Sequence, residues 1–233
     1  MQSKSPTLLA IDTSTAMCSC AIYHKEKIFD AHKLSPRQHT QMLFPLIKQV
    51  LKQAALSLKD IDVIVFPKGP GSFTGIRLGV TITQGLAFVN NCKVIGISSL
   101  WHLAQSVYQS HNKSPVIVCI DAYMNEVYWN SFKVHDDLML PLQNDAIDSP
   151  GNIKHIDDAH NSVYAVGDAW QKYDLQNAHD NIVSEQKLLE HLPLAKHLLP
   201  LALMEYKKGN IENAEQAMPV YLSGKTRWKK QPV

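Results

Sequence analysis

Asp62-Val63-Ile64-Val65-Phe66-Pro67-Lys68-Gly69-Pro70-Gly71-Ser72-Phe73-Thr74-Gly75-Ile76-Arg77-Leu78-Gly79 is the stretch that decides the architecture. Asp62–Phe66 reads as a buried strand, Pro67–Gly71 as a Gly/Pro loop, and a helix follows from Ser72 to about Asn90, with Ser72 as its cap. Upstream, Gln38–Ala55 carries apolar residues at three- and four-residue steps, the pattern of a helix with one inward face. Pro45 falls in its first turns, where it is tolerated or bends the helix slightly. Before that helix, Thr7–Asp12, Met17–Tyr23 and Ile28–Lys33 form a three-strand meander, its hairpin turn at His24–Lys27. Downstream, Lys93–Ile97 is a strand, and Ser98 or Ser99 caps a helix through Gln109. The order β-β-β-α-β-α-β-α requires a parallel crossover, hence an α/β fold.

The second half is less regular. Val116–Ile120, Glu126–Val134 and Ser162–Gly167 read as strands, His135–Asn161 as a polar, loop-rich stretch, and Leu194–Lys208 as a helix stopped by Gly209. No internal repeat is visible. The expected division is a first lobe over residues 1–110, on which the helix at about 194–209 packs back, and a smaller second lobe with a tail over 111–233.

The chain has 233 residues, 45% hydrophobic and 19% charged, with 23 Lys plus Arg against 21 Asp plus Glu. That balance excludes a wholly disordered chain, and its net charge of +2 gives no strong field toward nucleic acid or a membrane. Four cysteines, none in a C-x-x-C pair, are too sparse for a disulfide framework, and Cys18-x-Cys20 reads as a packed pair. No apolar run is long enough for a signal peptide or a membrane span, so a reduced cytoplasmic setting is expected.

Four segments invite a chemical reading, and each has a structural one beside it. Asp12-Thr13-Ser14-Thr15 follows a buried strand. Its hydroxyls could face a phosphate and Asp12 a metal or attacking water, but these residue types also favour a plain turn. The loop at Gly69–Gly79 is neither a P-loop nor a dinucleotide fingerprint, since no Lys follows Gly75 and the glycine spacing is off by one. Gly75 and Gly79, four apart, instead allow another backbone to approach. Asp121, ending a strand, could hold a cation or fix a turn. The tail Lys225-Thr226-Arg227-Trp228-Lys229-Lys230 could meet phosphates and stack on a base, or be solvated. The 11 histidines include no pair three or four apart, so no helix offers a histidine pair to a metal, and H-E-x-x-H is absent.

The helix Ser72–Asn90 is apolar on two sides. Leu78, Ile82, Leu86 and Val89 form one stripe, and Ile76, Val80 and Ala87 another. Two apolar faces predict burial or a partner. The expected interface comprises Leu43, Leu46, Ile47 and Val50 of the earlier helix with Gly75, Leu78, Gly79, Ile82 and Leu86 of this one.

Taken in order, Leu9–Thr15, the Gly-Pro-Gly-Ser-Phe-Thr-Gly-x-Arg-x-Gly run at 69–79, Asp121 with Glu126–Trp129, then Pro219–Leu222 and Trp228–Lys230 resemble the TsaB (YeaZ) family. The resemblance implies a ribonuclease-H-like fold of the actin/sugar-kinase superfamily in two lobes, the second reduced. It also implies a part in making N6-threonylcarbamoyladenosine at position 37 of tRNAs that read codons starting with A. Members are held to be non-catalytic and to pair with the metal-bearing paralogue TsaD, with the ATPase TsaE joining the complex and tRNA met through it. The two helices would pack on the same helices of TsaD, or on a second copy when TsaD is absent. Asp12, Thr13 and Ser14 would then be a vestigial phosphate loop. No cofactor is expected to be tightly bound, ATP, ADP and Mg²⁺ being left to the assembled complex. The alternative is an enzyme in its own right, kinase-like or a peptidase. Pro67-Lys68, Tyr123, Asn125 and Ser223-Gly224 depart from the family pattern and weaken any role for a basic residue beside Asp121.

Overall fold

A computed structural model describes residues 5–153, 162–175 and 182–222. In the first lobe, β1 (Leu8–Asp12), β2 (Met17–His24) and β3 (Lys27–Leu34) form the antiparallel meander. After α1 (His39–Ala54) come β4 (Val63–Gly69), α2 (Phe73–Asn90) and β5 (Lys93–Ser98). The sheet order is β3-β2-β1-β4-β5, with β4 parallel to both β1 and β5. α1 and α2 cover one face, where Leu9, Ile11, Ile22, Ile64 and Phe66 meet Leu43, Ile47, Val50, Ile76 and Val80.

α3 (Ser99–His111) starts on the cap Ser98, whose hydroxyl accepts from the Trp101 N–H. It leads into β6 (Val116–Asp121), β7 (Val127–His135), β8 (Leu138–Pro141), β9 (Ala146–Asp148), β10 (Val163–Val166), α4 (Ala169–Lys172), β11 (Ile182–Ser184) and α5 (Gln186–Leu189). α6 (Leu198–Lys207) closes the described helices and lays Leu198, Leu199, Leu201 and Ala202 against Leu8, Ala10, Val63, Val65 and Ile97 on the other face of the first sheet. α3 packs on strands of both sheets, its Leu100, Leu103, Ala104 and Val107 meeting Val116, Val118 and Phe132 of the second.

The second sheet runs β8-β7-β6-β10-β11, with β9 added on β7. β6–β7 and β7–β8 are antiparallel, while β6–β10 and β10–β11 are parallel. This is the order and direction pattern of the first sheet. The chain therefore repeats one topology twice, although the sequence shows no repeat. The second copy is reduced in its helices, α4 and α5 having four residues each.

Several expectations need correction. β4 continues through Pro67 to Gly69, because its partner β5 carries the pairing on with a register shift. Within the described part of the loop-rich stretch that begins at His135, two short strands form, β8 and β9. The segment from Leu194 opens as a 3-10 turn at Ala195–His197 before α6 begins. Pro200 lies in the first turn of α6, where its missing N–H would have had no helical partner.

Candidate functional site

The duplicated topology puts two aspartates at equivalent places: Asp12 ends β1 and Asp121 ends β6. The space between the lobes is a cleft of about 360 Å³, lined among others by Ser14, Thr15, Ser72, Asp121, Asp168 and His191. That is a volume of the size small ligands occupy.

The two aspartates have different surroundings. Asp12 and His102 are each 0% exposed. Asp12 Oδ1 accepts from the Ser14 N–H at 2.7 Å, while Oδ2 faces His102 Nδ1 at 3.7 Å, and neither of these facing atoms has a hydrogen-bond partner. His102 Nε2 lies 3.0 Å from the Leu194 carbonyl, which fixes it as the protonated nitrogen. Burial lowers the His102 pKa, and the Asp12 carboxylate pulls it the other way. Asp12 is thus enclosed against a histidine of α3 and turned away from the cleft, whose lining does not include it.

Thr13 is also sealed, at 2% exposure, and its hydroxyl donates to the Gly75 carbonyl at 2.7 Å. A Cβ on Gly75 would stand 2.3 Å from the Thr13 carbonyl oxygen, and one on Gly79 would stand 3.0 Å from the Thr13 hydroxyl. The glycines four apart seat this chain's own Asp12–Thr15 turn on α2. Of the three residues expected to be a vestigial phosphate loop, only Ser14 reaches the cleft.

Asp121 is accessible and already paired. Lys172 of α4 forms an ion pair with Oδ2, and Oδ1 accepts from the Tyr173 hydroxyl at 2.8 Å and the Tyr123 N–H at 3.0 Å. Burial raises its pKa, but these bonds outweigh that and hold the carboxyl below its usual value. Lys172 supplies the cation that Tyr123 and Asn125 do not. It escaped the sequence reading because it is distant in the chain and carries no motif.

The four cysteines are free. Burial pushes the Cys18 thiol up to about 12, with the nearby Asp12 charge adding to it, and raises Cys20 and Cys119 as well, so these thiols stay protonated and unreactive. Among the described residues no group of three or more His, Cys, Asp or Glu could hold a metal ion, and no helix is long and apolar enough to cross a membrane.

The expected interface also needs correction. Leu43, Leu46, Ile47 and Val50 are buried at 0–7% exposure beneath the first sheet, and Gly75 and Gly79 are covered by the Thr13 turn. These six belong to the interior of one chain. Leu78, Ile82 and Leu86 are half-buried. The apolar surface of the two helices is made by the half-exposed Leu78 and Ile82 with Phe73, Phe88 and Val89 on α2, and by Phe44 on α1. Phe88 and Val89 are 73% and 81% exposed. Leu78, Ile82, Gly85 and Val89 fall at helical spacing on one stripe of α2, and a Cβ on Gly85 would meet nothing. At the start of α2, Arg77 lies 3.4 Å above the Phe73 ring and donates from Nε to the Tyr221 hydroxyl. Tyr221 is held there because Val220 N–H donates to the Lys68 carbonyl. The basic tail Lys225–Lys230 lies outside the described residues.

Beside the cleft, His197 is buried and accepts at Nδ1 from the Leu194 N–H. Burial, then the neighbouring His102, Lys196 and His191, push its pKa down to about 3. The unfolded chain therefore binds a proton near pH 6.5 that the folded chain refuses. Stability from this group is full above pH 6.5 and falls as pH drops toward 3. Between pH 7 and pH 5 the expected loss is about 2 kcal/mol. Urea unfolding at the two pH values should show it, and His197→Gln should remove that part of the difference.

Residues 32–224 match the family described as "TsaD: tRNA N6-adenosine threonylcarbamoyltransferase". The chain is 33% identical to the tRNA threonylcarbamoyladenosine biosynthesis protein TsaB of Escherichia coli (strain K12), over 97% of this chain and 98% of that one. It is 36% identical to the protein of the same name from Haemophilus influenzae, over 97% of both. A solved structure of YeaZ from Pseudomonas aeruginosa superposes with a TM-score of 0.86 at 34% identity, covering 93% of this chain and 100% of that one. With such identity along nearly the whole of both chains, and with the fold shared, the chain belongs to the TsaB (YeaZ) family.

Proposed function

We propose that the chain is a non-catalytic subunit of the assembly that installs the threonylcarbamoyl group on N6 of adenosine 37 in tRNA. In this reading it pairs with the catalytic TsaD paralogue through α2 and α1, and the ATPase TsaE joins the pair. The group transfer takes place on the paralogue, and tRNA is met through the complex. The observation that carries the non-catalytic part is the enclosure of Asp12: a carboxylate facing a buried histidine cannot hold a metal or direct an attacking water in the cleft. The outward apolar stripe of α2 supports the pairing, because Val89 at 81% exposure and the half-exposed Leu78 and Ile82 lie along one row that favours being covered. Without the paralogue, a second copy of this chain covers that patch.

The test is reconstitution with TsaD, TsaE, the synthase that makes threonylcarbamoyl-adenylate, ATP and tRNA. Modified adenosine should form only when this chain is added, and the chain alone should hydrolyse ATP no faster than buffer. Equal product without the chain would overturn the subunit reading, and turnover by the chain alone that Asp12→Ala abolishes would favour the enzyme reading instead.

A further inference from the structure

His111, His191, Ser106 and His197 form a hydrogen-bonded series beside the cleft. Ser106 Oγ lies 2.7 Å from both His197 Nδ1 and His191 Nε2, and His191 Nδ1 lies 3.2 Å from His111 Nε2. The proton positions follow from one end. The Leu194 N–H donates to His197 Nδ1, so that nitrogen carries no proton and Ser106 donates to it. Ser106 then has only its oxygen to offer, so His191 donates to it from Nε2. This leaves His191 Nδ1 as a bare lone pair directed at His111.

We propose that His111 and His191 form a binding site for a divalent transition cation of the zinc type. Two tetrahedral ligands at about 2.0–2.1 Å from zinc have their nitrogens about 3.3 Å apart. The two ring nitrogens are already at that spacing, with the rings nearly perpendicular at 78°. The proton between them is the one on His111 Nε2; as the cation takes its place, His111 changes tautomer through water and carries that proton on Nδ1, so neither ring needs to become charged. Ser106 holds His191 by its other nitrogen, the outer-shell arrangement that orients metal-bound histidines. His111 is the last residue of the 13-residue helix α3, where the helix carbonyls favour a cation. Both histidines are half-buried, so water can complete the coordination shell. The histidines lie far apart in the chain and match no metal motif, which is why spacing did not reveal them. The site does not depend on the proposed function, and its occupation ties the end of α3 to the Leu189–Pro193 rim of the cleft.

The test is calorimetric titration of ZnCl₂ into the full chain after dialysis against EDTA, with thermal unfolding in parallel. Expected are one zinc per chain and a rise in Tm that EDTA reverses. His111→Ala, at the end of a helix, should fold normally and lose both effects, and His191→Gln should lose them too. Cys92→Ser, which removes the half-buried thiol, should keep them. Ser106→Ala should weaken zinc binding by about tenfold or more. No zinc uptake by the wild-type chain, or uptake that is the same in His111→Ala, overturns the proposal.

Discussion

Gly75→Ala is expected to cost about 3 kcal/mol or more, enough to leave little soluble protein. The added Cβ would stand 2.3 Å from the Thr13 carbonyl oxygen, where ordinary contact begins near 3.4 Å. Neither side can yield easily. β1 is paired on both edges, with β2 and β4, and α2 is anchored by Ile76 and Val80 in the core. Gly85→Ala is the matched control on the same helix. Its Cβ meets nothing, so it should gain up to about 1 kcal/mol from helix propensity. Urea unfolding of both variants gives the comparison. If Gly75→Ala were as stable as the parent, the account of the turn seated on α2 would be wrong.

The second large effect is on pairing. Leu78→Glu combined with Val89→Asp places two charges on the outward stripe of α2. Burying them against a partner should weaken the complex with the TsaD paralogue by at least about 100-fold, the range of paired hot-spot losses. Val89 is 81% exposed and Leu78 half-buried, so the variant should stay folded as a monomer, its urea midpoint below the parent's only by what self-pairing through this patch gives the parent. Leu46→Glu is not an equivalent test. Leu46 is 7% exposed inside the core, so a carboxylate there reports folding and says nothing about a partner. Sedimentation or calorimetry with the paralogue separates the two cases.

These contrasts show what the residues disclosed in advance. The first lobe was legible because its strands are short apolar runs and its helices carry a clear period. Leu43, Ile47 and Val50 marked an inward face, but periodicity alone cannot say whether that face meets its own sheet or another chain. α2 is apolar on two sides, and what tells its stripes apart is the seating of Gly75 and Gly79 against the Thr13 turn, which no periodicity carries. The duplicated topology was hidden because pairing order leaves no trace in composition, and because β8, β9 and β11 are only three or four residues long. The site was legible in its pieces and not in its state. Asp12 stood out at the end of a strand, but its burial depends on His102, which only the packing of α3 between the sheets brings near. Lys172 beside Asp121 and the His111–His191 pair are likewise products of tertiary proximity.

The central claim is that this chain promotes the tRNA modification by being held on α2, with no chemistry of its own. It is tested most directly by measuring threonylcarbamoyladenosine formed in the reconstituted system with the parent chain and with the Leu78→Glu/Val89→Asp variant. The account predicts full product with the parent and product near the no-chain background with the stably folded variant. Undiminished product from that variant would contradict it.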